Sequence, residues 1–145
     1  ADMEWSEHPE YRVEHALLRI LRFPMVGVDH PGRAFMGLAV ASRHARVNNE
    51  LMSRYVEPLL EWREVARARA VGLAMRLGYT LSGGVISLLE QTKLERKGDN
   101  LVLQLPDHAD VLVGDVVQRR FRTLAGALNC TPTVAYVAGL EAADD

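Results

Sequence analysis

The chain has little of several things, and each shortage excludes something. It holds one cysteine, Cys130, in 145 residues, so no internal disulfide is available and a reducing compartment is expected. Aromatics make up 6% of the residues against 48% apolar residues in all, so the core must be aliphatic, which favours helices. No apolar run approaches the roughly 20 residues that span a bilayer. The opening Ala1-Asp2-Met3-Glu4-Trp5 has no initiator Met and is not a signal peptide, and it reads like an internal cut in a longer chain. The net charge of -2 supplies no global pull toward nucleic acid or an anionic membrane. Phosphate loops, GxGxxG turns, GxSxG elbows and CxxC zinc pairs are all missing, so no familiar catalytic motif is complete. Lysine is nearly absent too. Of the seventeen basic residues only Lys93 and Lys97 are not arginine. A GC-rich genome explains that bias most simply; bidentate phosphate recognition is the functional alternative.

What is present is helical in the first half. His8-Pro9-Glu10 opens a helix whose Val13, Leu17, Ile20 and Leu21 fall on one face, and Phe23-Pro24 ends it. Asp29-His30-Pro31 opens a second, with Asp29 as cap and Pro31 in the first turn. Phe35, Leu38 and Ala41/Ser42 line its inner side. Its small residues, Ala34, Gly37, Ala39 and Ala41, admit a close neighbour. Asn48-Asn49 interrupts the pattern, and Leu51 to Glu61 predicts a short helix broken near Pro58. Glu64 to Tyr79 is the clearest helix, with Val65, Ala68, Gly72, Met75 and Tyr79 as its stripe and Val71 alongside.

After Ser82-Gly83-Gly84 the character changes. Leu88 to Arg96 predicts an extended segment and Lys97-Gly98-Asp99-Asn100 a turn. Leu101, Leu103 and Leu105 then alternate with Val102 and Gln104, which completes a β-hairpin. A helix is expected from Ala109 to Leu128 with Val113, Val117, Leu124 and Leu128 inward, closed by Asn129, and a strand over Thr133 to Val137. The fold expected is therefore mainly α with a small α+β part, divided into 1–84 and a β-β-α-β appendage over 85–145.

Two groups of side chains invite a functional reading. His8, His15, His30 and His44 crowd the first third, with Asp2, Glu14 and Asp29 nearby. A metal needs three or more such groups at one point, and Pro9 argues against a shared helix for His8 and His15. Asp2, His8 and His15 are thus weak metal candidates, and the expectation is no metal. The arginines Arg69, Arg76, Arg119, Arg120 and Arg122 offer more. Arg69 and Arg76 share a helix face and can follow a polyanion, or can pair with Glu57, Glu61 and Glu64. Arg67 lies on another side of the helix from Arg69, so the arginines cannot all form one patch.

Taken in order, the segments resemble one family. They are His8-Pro9-Glu10-Tyr11-Arg12, Glu14 to Leu21, Val26-Gly27-Val28-Asp29-His30-Pro31-Gly32-Arg33-Ala34-Phe35, Arg67 to Leu77, Tyr79-Thr80-Leu81-Ser82-Gly83-Gly84 and Leu101 to Pro106. Together they resemble the C-terminal region of the exopolyphosphatase/guanosine-pentaphosphate phosphatase family, especially its alphaproteobacterial forms. The resemblance implies an HD-like helical bundle before the appendage. It also implies a separate N-terminal, actin-like catalytic region, absent from this sequence, that carries the carboxylate and the Mg²⁺ of a phosphoanhydride hydrolase. No cofactor is then expected in this segment. A working HD site would need a His-Asp pair, and Asp2 stands at that step with Ala1 before it. His15 and His44 match histidines that recur in the family.

The role implied is non-catalytic: homodimerisation and lining of a channel for polyphosphate, or for guanosine pentaphosphate, in a cytoplasmic protein. Arg69, Arg76, Arg119, Arg120, Arg122, His15 and His44 are the candidate polyanion-binding residues. Neither a membrane nor specific nucleic acid is expected as a partner. The alternatives are a metal-dependent HD phosphohydrolase of a guanosine polyphosphate, and a packing module without a ligand.

Overall fold

The computed structural model describes residues 9–83, 86–111 and 114–138. The chain is mainly helical, with a three-stranded sheet after the helices. It packs as two compact units, 1–73 and 74–145. The units meet inside one helix, whereas the sequence reading places its boundary after Gly84, which lies outside the described residues.

Unit 1 begins with α1 (Pro9–Arg22). Pro9 suits the first turn because its missing N–H is one no helix start uses. Val13 and Leu17 are buried, and Arg19 and Arg22 in the last turn complement the helix dipole. The chain reverses through Gly27, at φ +81°, a conformation costly for other residues. Asp29 then caps α2 (His30–His44): its Oδ1 accepts from Gly32 N at 2.8 Å. Leu38, Ala41 and Ser42 are buried as expected, with Phe35 packed against the core. α1 lies close against α2 at Gly37, where an added Cβ would sit 3.1 Å from Leu17 Cδ1 and 3.3 Å from its carbonyl oxygen.

Asn48 does more than interrupt the pattern. Its Oδ1 accepts from Leu51 N at 2.9 Å and caps α3 (Asn49–Leu51). α3 continues as a π-helix over Met52–Val56, closed by Glu57 N donating to Met52 O at 2.9 Å. The helix expected over 51–61 therefore stops earlier, and a turn through Pro58 carries the chain to Leu60. At the start of the next helix Glu64 accepts from Glu61 N at 2.9 Å, the glutamate half of a capping box.

That helix, α4 (Trp62–Ser82), is longer than its apolar pattern predicts. Ala68 and Gly72 are buried in unit 1, but the expected stripe does not continue. Met75 and Tyr79 are 41% and 65% exposed, and in unit 2 the buried positions are Leu77 and Leu81. A single stripe was the wrong template because the two halves of the helix belong to different cores.

In unit 2, the run expected to be extended from Leu88 begins instead as α5 (Ile86–Glu90). A short apolar run does not discriminate strand from buried helix. Thr92 Oγ1 donates to Leu88 O at 2.6 Å where the helix ends. β1 (Lys93–Lys97) pairs antiparallel with β2 (Asn100–Pro106), and β2 pairs in parallel with β3 (Thr131–Val137). The hairpin turns on Gly98 at φ +60°, in keeping with glycine leading a type II′ turn. Leu101, Leu103 and Leu105 are buried, as their alternation requires.

After β2 comes a 3₁₀ turn over Asp107–Val111, and α6 (Asp115–Ala127) supplies the crossover to β3. The helix thus starts later than Ala109, with Gly114 as its cap. Val117 and Leu124 are inward as expected, and Phe121, which the sequence reading left out, is the largest fully buried side chain among the described residues. Val113 lies outside the described residues. Asn129, at φ 53°, closes the helix in the left-handed region that asparagine tolerates.

Candidate anion-binding sites

In unit 1, α1 displays Arg12, His15 and Arg19 at i, i+3 and i+7, a spacing that stacks side chains on one face. α2 ends at His44, where the helix dipole favours a cation. These side chains, with Ala16, line an open depression of about 410 Å³. Among the described residues no carboxylate lines it. The opposite character appears in another depression of unit 1, about 490 Å³, lined by Glu10, Tyr11, Glu14, Asn48, Glu50, Leu51 and Arg54. α1 therefore separates its charges, with Arg12, His15 and Arg19 on one surface and Glu10 and Glu14 on another.

The basic depression is suited to oxyanions. Guanidinium offers a planar fork of N–H donors that matches phosphate oxygens, and protonated imidazole adds a further donor. His15 and His44 were candidates from the sequence and are brought together. Arg12 and Arg19 were missed, although their spacing about His15 was the available signal.

Unit 2 gathers a second cationic group. Arg76 and Thr80 are one turn apart on the second half of α4, and Arg120 comes from α6. Arg120 Nη1 donates to Thr80 Oγ1, and Thr80 Oγ1 donates to the Arg76 carbonyl at 2.9 Å. Burial pushes the Arg120 pKa below its usual range, and the like charges of Arg76 and Arg119 push it further the same way. Three of the predicted arginines are therefore neighbours. Arg122 is exposed on α6, and Arg69 is half-buried in unit 1. The alternative partners, Glu57, Glu61 and Glu64, form no ion pair with these arginines among the described residues. Glu95 is ion-paired with Lys93 and Lys97, at 3.5 and 3.7 Å.

No group of three or more His, Cys, Asp or Glu side chains able to hold a metal occurs among the described residues. Asp2 and His8 lie outside them. His15 stands between two arginines on its helix face, a setting that opposes a cation. Among the described residues, no helix is long and apolar enough to cross a membrane.

The described residues form a mainly helical module with a small α+β part. Residues 1–131 match the model of the exopolyphosphatase C-terminal family, and the chain belongs to that family. It is a C-terminal part of an exopolyphosphatase-like protein. No match was found among curated proteins.

Proposed function

We propose that this segment holds the substrate chain of its parent hydrolase, polyphosphate or guanosine pentaphosphate, and contributes to a homodimer, while hydrolysis takes place in an N-terminal region. The observation that supports this is the unit 1 depression, where Arg12, His15, Arg19 and His44 converge with no carboxylate among the described lining residues. A run of phosphates laid across it would accept charge-assisted hydrogen bonds, each worth about 1.5–3 kcal/mol net. Arg69 in unit 1 and Arg122 in unit 2 are further candidates, each within its own unit. Mg²⁺ belongs to the N-terminal region in this reading.

The test is titration with labelled long-chain polyphosphate at low and moderate salt. Binding should weaken as salt rises, because each neutralised phosphate releases a counterion. Arg12→Gln/Arg19→Gln should lower affinity by about tenfold or more and flatten the salt dependence. Absence of binding at low salt, or an unchanged double variant, removes the polyanion role. A monomer in sedimentation at high concentration removes the dimer.

A further inference from the structure

A third depression of unit 1 differs from the two described above, because its lining is mostly apolar. It has a volume of about 360 Å³ and takes residues from α1, α2, the π turn and the segment that follows it. On α1, Leu18 and Leu21 lie at i and i+3 with Arg22 beside them, a spacing that gives one face. Leu18, Leu21, Tyr55 and Leu59 are half-buried, so they form an apolar wall. Arg22, His30 and Arg54 are exposed and bring two guanidiniums and an imidazole to its solvent side. Among the described residues no carboxylate lines it. Asp29, next to His30, accepts from Gly32 N at 2.8 Å instead.

The fold orients two of these polar groups. Arginine only donates hydrogen bonds. Arg33 Nη2 lies 2.8 Å from His30 Nδ1, so Nδ1 accepts and the ring proton sits on Nε2. His30 thereby keeps one donor, Nε2–H, for another acceptor. Arg33 Nε is buried with no hydrogen-bond partner among the described residues, so its charge is incompletely compensated. The Arg54 guanidinium lies over the Tyr55 ring, 5.6 Å from its centre, which holds it against the apolar wall. Arg54 and Tyr55 both belong to the π turn Met52–Val56, a rare element that concentrates at functional sites. An apolar wall with oriented donors on one side suits a ligand with an apolar body and one anionic end. Inorganic phosphate would leave the leucines and Tyr55 uncovered, and its second charge is costly beside them. A carboxylate carries one charge and matches the guanidinium fork.

We propose that this depression binds an aliphatic monocarboxylate of medium chain length. The acyl chain lies against Leu18, Leu21, Tyr55 and Leu59. The carboxylate accepts from Arg54 and from His30 Nε2, and Arg22 adds positive charge. Arg33 is a positioning residue, which acts by fixing the His30 proton on Nε2. The volume falls at the lower end of small-molecule pockets, roughly 300–1,000 Å³, which fits a single chain. The site shares no residue with the basic depression around His15 and does not rest on the polyanion role given to it.

The test is calorimetric titration of the unmodified chain with octanoate, below micelle formation and at ionic strength held constant with chloride. Octanoate should bind. Hexanoate should bind about tenfold more weakly, because two fewer methylenes are covered. Acetate, which lacks the chain, and octanol, which lacks the charge, should each lose about tenfold or more. Amide shifts during the titration should cluster at Leu18, Leu21 and Leu59. Arg54→Gln, at an exposed position, should weaken binding by about tenfold, the loss of one charge-assisted contact. Arg12→Gln/Arg19→Gln should leave octanoate binding unchanged, which separates this site from the basic depression. Arg33→Met should weaken binding and redistribute the His30 proton between its ring nitrogens in nitrogen NMR, a signature that loss of packing alone does not give. Arg33→Lys should retain both. Four results overturn the proposal: no octanoate binding, acetate or octanol binding as tightly as octanoate, an Arg54→Gln variant that binds as the unmodified chain does, or full competition by orthophosphate. Octanoate that converts an oligomer to monomers in sedimentation assigns the face to a second copy and overturns it too.

Discussion

Unit 1 sets many small residues among the large ones of its core, whereas unit 2 relies more on large side chains. In unit 1, Ala34, Gly37, Ala39, Ala41, Ala68 and Gly72 are buried beside Leu17 and Leu38, so helix backbones come close together. In unit 2, Leu101, Leu103, Leu105, Leu124 and Phe121 are buried, so side-chain volume fills the space between sheet and helix. The first arrangement is intolerant of added atoms and the second of lost ones. Each should therefore fail in its own way.

The largest effect should come from emptying unit 2. Phe121→Ala removes the largest fully buried side chain and should cost about 3–5 kcal/mol in urea unfolding. A loss under about 1 kcal/mol would mean that unit 2 collapses around the gap and is not volume-limited. Overfilling unit 1 comes next. At Gly72 a Cβ would meet the carbonyl oxygen of Ala39 and approach Ser42 Cβ to 2.7 Å and Arg43 N to 3.0 Å. Two of the three are backbone atoms that cannot rotate aside, so Gly72→Ala should cost about 1–3 kcal/mol. The same change at Gly126 on α6 has nothing within 4 Å to meet. There it should stabilise by about 0.4–1 kcal/mol, because the unfolded chain loses more freedom. Opposite signs for one substitution would confirm that packing, not helix propensity, governs Gly72.

The helix starts extend the comparison at smaller scale. α2 of unit 1 is capped by the Asp29 side chain, whereas α6 of unit 2 starts at Gly114 with no side-chain cap. Asp29→Ala should cost about 1 kcal/mol, and Gly114→Ser should gain a few tenths, roughly 0.3 kcal/mol. Thermal unfolding of the pair checks both signs.

What the sequence revealed follows the same division. Caps and alternation are local, so Asp29, Gly98 and the Leu101/Leu103/Leu105 face were legible residue by residue. The small residues of α2 announced a close neighbour. The second half of α4 was not legible, because the burial of Leu77 and Leu81 in place of Met75 and Tyr79 is set by which core each half joins. α5 was not legible because a short apolar run has no diagnostic period, and Phe121 because a lone aromatic stands outside the aliphatic spacing of α6. At the candidate sites, His15 and His44 were nominated by the family resemblance, and Arg76, Arg119 and Arg120 by residue type and helical spacing. Their grouping was not readable, since it depends on how α2 meets α1 and α6 meets α4. Arg12 and Arg19 could have been found from their spacing about His15 alone.

The smallest change in stability should accompany a large change in behaviour at the sheet edges, a hazard that the described residues of unit 1, which hold no strand, do not share. Among the described residues β1 pairs on one side only, and so does β3. β1 presents Lys93, Glu95, Arg96 and Lys97, and β3 carries Pro132, which has no N–H for a further strand. The ion pairs of Glu95 with Lys93 and Lys97 are well exposed, so they contribute little to folding. Their physical value is that a charged edge repels a second edge and stays hydrated. Lys93→Thr/Glu95→Thr/Lys97→Thr should therefore alter unfolding free energy by less than about 1 kcal/mol, since threonine favours strands and exposed pairs are weak. Light scattering at rising concentration should nevertheless show self-association of the triple variant that the unmodified chain lacks. If the variant stays as dispersed as the unmodified chain while its stability drops by several kcal/mol, the charges of β1 serve the hairpin itself and not the protection of its edge.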